Sequence, residues 1–233
     1  NPPLLPMLAK RTEGIPAGEG WLFEPKWDGF RTLIFRDGDE VFLQSRDGKP
    51  LGRYFPELEE GLAALASERF VIDGEIVIEG QSFETLQLRL HPARSRIEKL
   101  ASEFPATFIA FDLMVGKGGE DLTRLPFRDR RRALESMVKA AGNASALRMS
   151  RSTKSLKTAL RWLGTEGLDG IMAKDLELPY RAGKRAMKKY KLWKTIDCVV
   201  AGLYRKAGTG LADSLLLGLY DAAGSLHYVG RIQ

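Results

Sequence analysis

Lys26 closes an extended stretch, Glu24-Pro25-Lys26-Trp27, and is followed by Asp28-Gly29, a pair suited to a tight turn. A lysine amine is a nucleophile only when part of it is deprotonated. Nearby cations, a metal or an arginine, promote this by destabilising the ammonium. Arg31, five residues on, is placed to bind a sugar hydroxyl or a phosphate. Lys-x-Asp-Gly also occurs in ordinary surface hairpins, so this segment alone supports both readings.

Five more segments carry candidate chemistry. Ser45-Arg46-Asp47-Gly48 sets an arginine at a strand end, fit for phosphate or ribose and equally for a plain polar turn. Asp73-Gly74-Glu75 interrupts an apolar run, where charge is costly unless it is paired or faces a site. Glu75 therefore reads as a ribose acceptor or a metal-linked carboxylate, the alternative being a simple strand bend. Phe111, next to Asp112, can stack on a purine or fill a core. In Glu166-Gly167-Leu168-Asp169-Gly170-Ile171-Met172-Ala173-Lys174 the glycines bracket a turn entering a strand. Glu166 can there supply a divalent-metal contact and Lys174 a phosphate contact, or the element is a capped helix followed by a strand. Lys189 and Lys191 project from one face of a strand. Their ammonium groups repel unless an anion such as a triphosphate lies between them, although lysines also protect solvated edge strands.

The elements that must position these residues follow from periodicity. Residues 31–36 and 40–45 alternate around Asp37-Gly38-Asp39 and predict a hairpin. Leu58, Leu62 and Leu65 share a helical face after Pro56. Residues 70–78 and 108–114 read as strands, the former on the floor of a cleft, and 84–90 as a short helix. A basic amphipathic helix spans about 126–141 and a second spans 155–165. Strands follow at 170–174, 187–191, 197–204, 214–220 and 227–231, with a cationic loop at 181–185. Strands and helices mix without regular βαβ units, which predicts an α+β layered domain.

Composition narrows the chemistry. With 233 residues, 44% of them hydrophobic, the chain can bury a sizeable core in one domain, or in one domain plus a fragment. No apolar run reaches membrane-spanning length and no secretory signal opens the chain, and with a single cysteine a reducing cytoplasm is the natural compartment. The opening Asn1, without a Met, suggests a trimmed piece. The lone Cys198 excludes disulfides within the chain and cysteine-based zinc sites, and two distant histidines, His91 and His227, argue against histidine-centred catalysis. Chemistry must then rest on Lys, Arg, Asp and Glu. A net charge of +6 points to nucleic acid or polyphosphate, though many soluble proteins are mildly basic.

In this order the segments resemble the covalent nucleotidyltransferase superfamily of ATP-dependent DNA ligases, RNA ligases and mRNA capping enzymes. Glu24 through Arg31, Phe111-Asp112-Leu113, Glu166 through Lys174 and Asp197-Cys198-Val199-Val200-Ala201-Gly202 are most similar to bacterial ATP-dependent DNA ligases. Leu90-His91-Pro92-Ala93, Leu178-Pro179-Tyr180-Arg181 and the run of residues 214–220 resemble the stand-alone C-type enzymes. The resemblance spans nearly the whole chain, and Asp47 replaces the small polar residue usual after Ser45-Arg46.

The resemblance implies that Lys26 forms a covalent lysyl-AMP from ATP and releases pyrophosphate. It implies that Glu24 helps read the adenine edge, Arg31 and Arg46 hold ribose and phosphate, and Glu75 binds ribose or assists the metal. Phe111 would stack on adenine and Met172 pack against it. Lys174, Lys189 and Lys191 would bind phosphates, and Glu166 would help Glu75 hold Mg²⁺ or Mn²⁺. AMP would pass to the 5′-phosphate of nicked double-stranded DNA, which is then sealed. The implied fold is a nucleotidyltransferase (ATP-grasp-like) domain of antiparallel sheets flanked by helices over residues 1–195. The first strands of an incomplete OB-fold follow over residues 196–233, so slow adenylation and poor sealing are expected of this polypeptide alone. A monomer in the bacterial cytoplasm is expected, away from membranes and with DNA-repair proteins as candidate partners. Arg128, Arg130, Arg131, Arg132 and the 181–185 loop are expected either to track a nucleic-acid backbone or to form a solvated face. An RNA ligase and a non-catalytic nucleic-acid-binding module are the rival readings.

Overall fold

Successive apolar side chains in the N-terminal strands face opposite ways, and both faces find a partner. In the computed structural model, which describes residues 2–142, 146–191, 195–206 and 208–232, the chain forms two units, Asn1–Leu192 and Trp193–Gln233. Asn1 lies outside the described residues. The first unit runs β1 (Leu8–Arg11), β2 (Trp21–Trp27), β3 (Phe30–Asp37), β4 (Glu40–Ser45), α1 (Pro56–Ala63) and β5 (Arg69–Val77). It continues through α2 (Phe83–Gln87), α3 (Arg94–Glu103), β6 (Thr107–Val115), α4 (Phe127–Ala140), β7 (Leu147–Met149), α5 (Leu156–Leu160), β8 (Leu168–Asp175) and β9 (Arg185–Tyr190).

These strands make a five-stranded sheet, β4-β3-β5-β6-β7, and a four-stranded sheet, β1-β9-β8-β2. Pairing is antiparallel except at the short strands, where β1 runs parallel to β9 and β7 to β6. On β3, Ile34 joins a core with Leu58 and Leu62 of α1, Phe108 of β6 and Leu134 of α4. Its neighbours Leu33 and Phe35 point the other way, into a second core with Met114 of β6 and Met187 of β9. The five-stranded sheet is thus covered by helices on one face and by the four-stranded sheet on the other. Each fully buried side chain of this kind contributes roughly 1.5–3 kcal/mol. A third cluster packs Phe23 of β2 and Ile171 and Ala173 of β8 against Ala159 of α5 and Trp162.

The second unit, taken by itself, is an antiparallel sheet of β10 (Val199–Arg205), β11 (Ala212–Tyr220) and β12 (Leu226–Ile232). Two expectations differ from the fold. The helix expected over 155–165 ends at Leu160 and continues as turns toward Gly164 and Gly167, both left-handed. Helix α3 was not anticipated, because Ile97 is its one buried residue and leaves no apolar stripe to read.

Candidate functional site

Between the two sheets lies a cavity of about 350 Å³. Strands of both sheets, and the turns that follow them, bring ten of the eleven sequence-selected residues to its wall. Glu24, Lys26, Arg31, Arg46 and Glu75 line it from the first half of the chain, and Phe111, Met172, Lys174, Lys189 and Lys191 from the second.

A β-bulge sets Lys26. Antiparallel pairing of β2 with β8 places Pro25 opposite Ile171 and Trp27 opposite Leu168, so Lys26 alone faces both Asp169 and Gly170. Regular alternation would put Asp169 on the core face with Ile171 and Ala173. The bulge turns it into the cavity beside Met172 and Lys174. Gly170 makes this possible: its φ is +135°, and a Cβ there would lie 2.1 Å from the Tyr190 carbonyl oxygen. Lys26 Nζ donates to Asp169 Oδ2 at 2.6 Å, and Lys191 Nζ pairs with the same oxygen. Burial raises the Asp169 pKa, but the hydrogen bonds from Lys191 and Lys26 outweigh it and hold the group below the ordinary carboxylate range. Past Lys26, Gly29 lets the chain turn back into β3, since a Cβ there would meet the Ile76 carbonyl oxygen at 2.1 Å.

Arg31, on β3, is held by the neighbouring strand of its own sheet. Its Nε and Nη2 donate to Asp73 Oδ1 and Oδ2 at 2.6 and 2.7 Å, and Nη2 also reaches the Met7 carbonyl at 3.3 Å. Burial disfavours the charged guanidinium, yet the Asp73 carboxylate more than compensates and raises its pKa. The guanidinium carbon lies 4.4 Å from the Phe111 ring centroid and Lys174 Nζ lies 4.3 Å from it, so two cations pack on one ring.

Glu24 and Lys174 form the floor. Glu24, 1% exposed, accepts from Arg131 Nη1 at 2.5 Å and from Lys174 Nζ at 2.8 Å. Lys174 also donates to the Phe111 carbonyl at 3.1 Å. Burial lowers its pKa, partly offset by Glu24 and Asp112. Helix α4 supplies Arg131 from behind. Its neighbour Arg130, 0% exposed, chelates Asp112 at 2.8 and 2.9 Å. These two arginines are neither a solvated face nor a nucleic-acid track, because both guanidinium groups point inward to buried carboxylates.

Two groups near Lys26 are tuned by their surroundings. Burial pushes the Glu75 carboxyl up to about 7, against the pull of Arg31 and Lys26 and with help from Asp73 and Asp28. Burial and the like charges of Lys26, Lys191, Arg46 and Arg185 lower the Lys189 pKa.

Glu166 is the exception. It is exposed, and it lines a neighbouring cavity of about 360 Å³ that shares Trp27 and Asp28 with the first. The carboxylate that this segment delivers to Lys26 is Asp169. Sequence reasoning gave no role to Asp169, Asp73 or Tyr180, and it set Arg131 on the surface of its helix rather than behind Glu24. The buried charge of Asp73 inside an apolar strand was the one available signal. The others meet their partners across long stretches of chain.

The sequence matches the family described as ATP dependent DNA ligase domain over residues 6–191. It is 50% identical to DNA ligase C2 of Mycolicibacterium smegmatis and 47% identical to DNA ligase C of Mycobacterium tuberculosis. Each alignment covers 99% of this chain and 66% of the relative, so the chain spans a little under two thirds of their length. A solved structure described as mycobacterial DNA ligase D complexed with ATP and MES matches with a TM-score of 0.62 and 29% identity, over 98% of this chain and 72% of that one.

Proposed function

The chain belongs to the ATP-dependent DNA ligase domain family, and from that premise we propose that the cavity binds ATP and that Lys26 carries the adenylate. Lys26 Nζ forms a bond to the α-phosphorus, the bond from that phosphorus to the oxygen bridging to the β-phosphate breaks, and pyrophosphate leaves. The ammonium proton must go before attack, and Asp169 Oδ2, already hydrogen-bonded to it, is the acceptor at hand. Arg46, Lys189 and Lys191 face the triphosphate as fixed positive charge, which stabilises charge developing on the leaving group. Arg31 and Glu75 hold the ribose, while Phe111 and Met172 flank the base. Glu24, pinned by Arg131 and Lys174, presents its carboxylate at the base edge. Lys174 supports Glu24 and the Phe111 backbone from below.

A divalent cation, Mg²⁺ or Mn²⁺, supplies charge neutralisation on phosphate oxygens when bound. The donor set fits it. Glu75, Asp28 and Asp169 bring carboxylate oxygens to the cavity, and magnesium is held by one or two carboxylates with phosphate and water rather than by a closed protein cage. No group of three or more His, Cys, Asp or Glu side chains forms such a cage among the described residues. Glu75 and Asp169 would hold the ion. Glu166, which faces the neighbouring cavity, has no part in this assignment.

AMP then passes to the 5′-phosphate of a nick in duplex DNA, and the adjacent 3′-hydroxyl displaces it. Residues 1–195 form the adenylation domain, and residues 196–233 contribute strands to an OB-fold domain. The protein acts as a bacterial cytoplasmic monomer. No helix among the described residues is long and apolar enough to cross a membrane. The observation that carries the proposal is the Lys26 ammonium set by a bulge among Asp169, Lys189 and Lys191. The test is intact-mass analysis after incubation with ATP and magnesium. A gain of one adenylate is expected, and it is lost in Lys26→Ala. An unmodified mass under conditions where nucleotide binds would refute the proposal.

A further inference from the structure

Tyr180 sits outside the nucleotide cavity, yet its hydroxyl ties two of the cavity's walls together. It donates to Asp73 Oδ2 at 2.8 Å and accepts from the Met7 backbone N–H at 2.9 Å. Asp73 is the carboxylate that clamps Arg31, and Arg31 Nη2 returns to the Met7 carbonyl. Both backbone polar groups of Met7 therefore end on one closed circuit, Met7–Tyr180–Asp73–Arg31–Met7. Met7 and the next two residues, Leu8 and Ala9, line the cavity, and Arg31 lies against Phe111 in it.

The circuit joins distant parts of the chain. Tyr180 lies between β8 and β9, with its backbone N–H donating to the Thr123 carbonyl at 2.8 Å. Its ring packs with Met7, Leu33 and Met114 in the core between the sheets. The hydroxyl is not needed to fill that core, since phenylalanine would fill the same space. What the hydroxyl adds is one hydrogen bond to a buried carboxylate and one acceptor for a buried backbone donor. Burial and the Asp73 charge together hold it protonated, so it stays a donor to Asp73.

We propose that Tyr180 is a positioning residue for nucleotide binding, fixing Arg31 through Asp73 and the N-terminal segment through the Met7 amide. This rests on the cavity being the ATP site. Without the hydroxyl, Asp73 keeps two donors, both from Arg31, and the Met7 amide is left without its partner. The wall formed by residues 7–9 loosens and the guanidinium can shift on Phe111, while Lys26, Asp169 and Lys191 are untouched. Binding suffers and the chemical step does not.

The test is Tyr180→Phe in this chain, with KM for ATP and kcat read separately from the rate of adenylate formation. A rise in KM of about tenfold with kcat within about twofold is expected. Faster hydrogen exchange at the Met7 amide should accompany it. Asp73→Asn, which keeps the shape but weakens the clamp on Arg31, should raise KM in the same direction. A role confined to stability would lower the melting temperature and leave KM unchanged, and that result overturns the inference. Absence of any adenylate on the wild-type chain would instead overturn the nucleotide reading, and this one with it.

Discussion

Lys26 and Asp169 are 143 residues apart in sequence and 2.6 Å apart in space, joined where one residue of β2 faces two of β8. The bulge gives Lys26 a carboxylate partner that also binds Lys191. Asp169 therefore links Lys26, the proposed site of adenylation, with a second lysine of the same cavity.

Removing that link should slow the first chemical step. Asp169→Asn is expected to lower the rate of lysyl-AMP formation about 100-fold, through loss of Lys26 orientation. Glu166→Gln should stay within about threefold of wild type. Single-turnover labelling with ATP measures both, and the reverse ranking would restore Glu166 to the site.

The bulge depends on Gly170. Gly170→Ala forces a Cβ against the Tyr190 carbonyl at an unfavourable φ and should cost more than about 3 kcal/mol of stability. Gly167→Ala, also at positive φ but with no atom within 4 Å of its Cβ, should cost about 1 kcal/mol. Urea denaturation of the two variants separates a steric requirement from a merely conformational one.

The inward-facing arginines of α4 should act on stability. Arg130→Ala leaves Asp112 buried without its partner and should destabilise the chain by about 3–5 kcal/mol. Denaturation midpoints check this. A loss of DNA affinity at unchanged stability would return Arg130 to the nucleic-acid surface.

Glu75 should make stability depend on pH. Its folded pKa is raised, to about 7 from 4.5, so the neutral form is favoured on folding. That contribution is complete below the unfolded value and is lost as pH rises through about 7. Glu75→Gln stays neutral throughout. Relative to wild type it should gain on the order of 2 kcal/mol between about pH 5 and about pH 8, after discounting for solvent contact. Urea titrations at the two pH values read the difference directly, and equal behaviour at both would refute it.

The sequence by itself determined which side chains are offered to the cavity by their own strands and turns. Phe111 and Met172 are apolar on strands, Lys189 stands on β9 with Lys191 one residue past its end, and Arg31 follows Lys26 by a short turn. Local periodicity and turn residues suffice for such placements, and ten of the eleven selected residues meet at one cavity. Local signals failed where alternation breaks or where a charge is buried by something remote. Asp169 was passed over for Glu166 because the bulge that turns it inward arises from pairing between β2 and β8, and neither strand encodes it alone. Arg130 and Arg131 read as surface because a basic helix usually faces water. Only the packing of α4 against β6 and β2 shows the carboxylates that receive them. A side chain's face follows from its own strand, but its partner is fixed by long-range register and burial, which exist only once the sheets have closed.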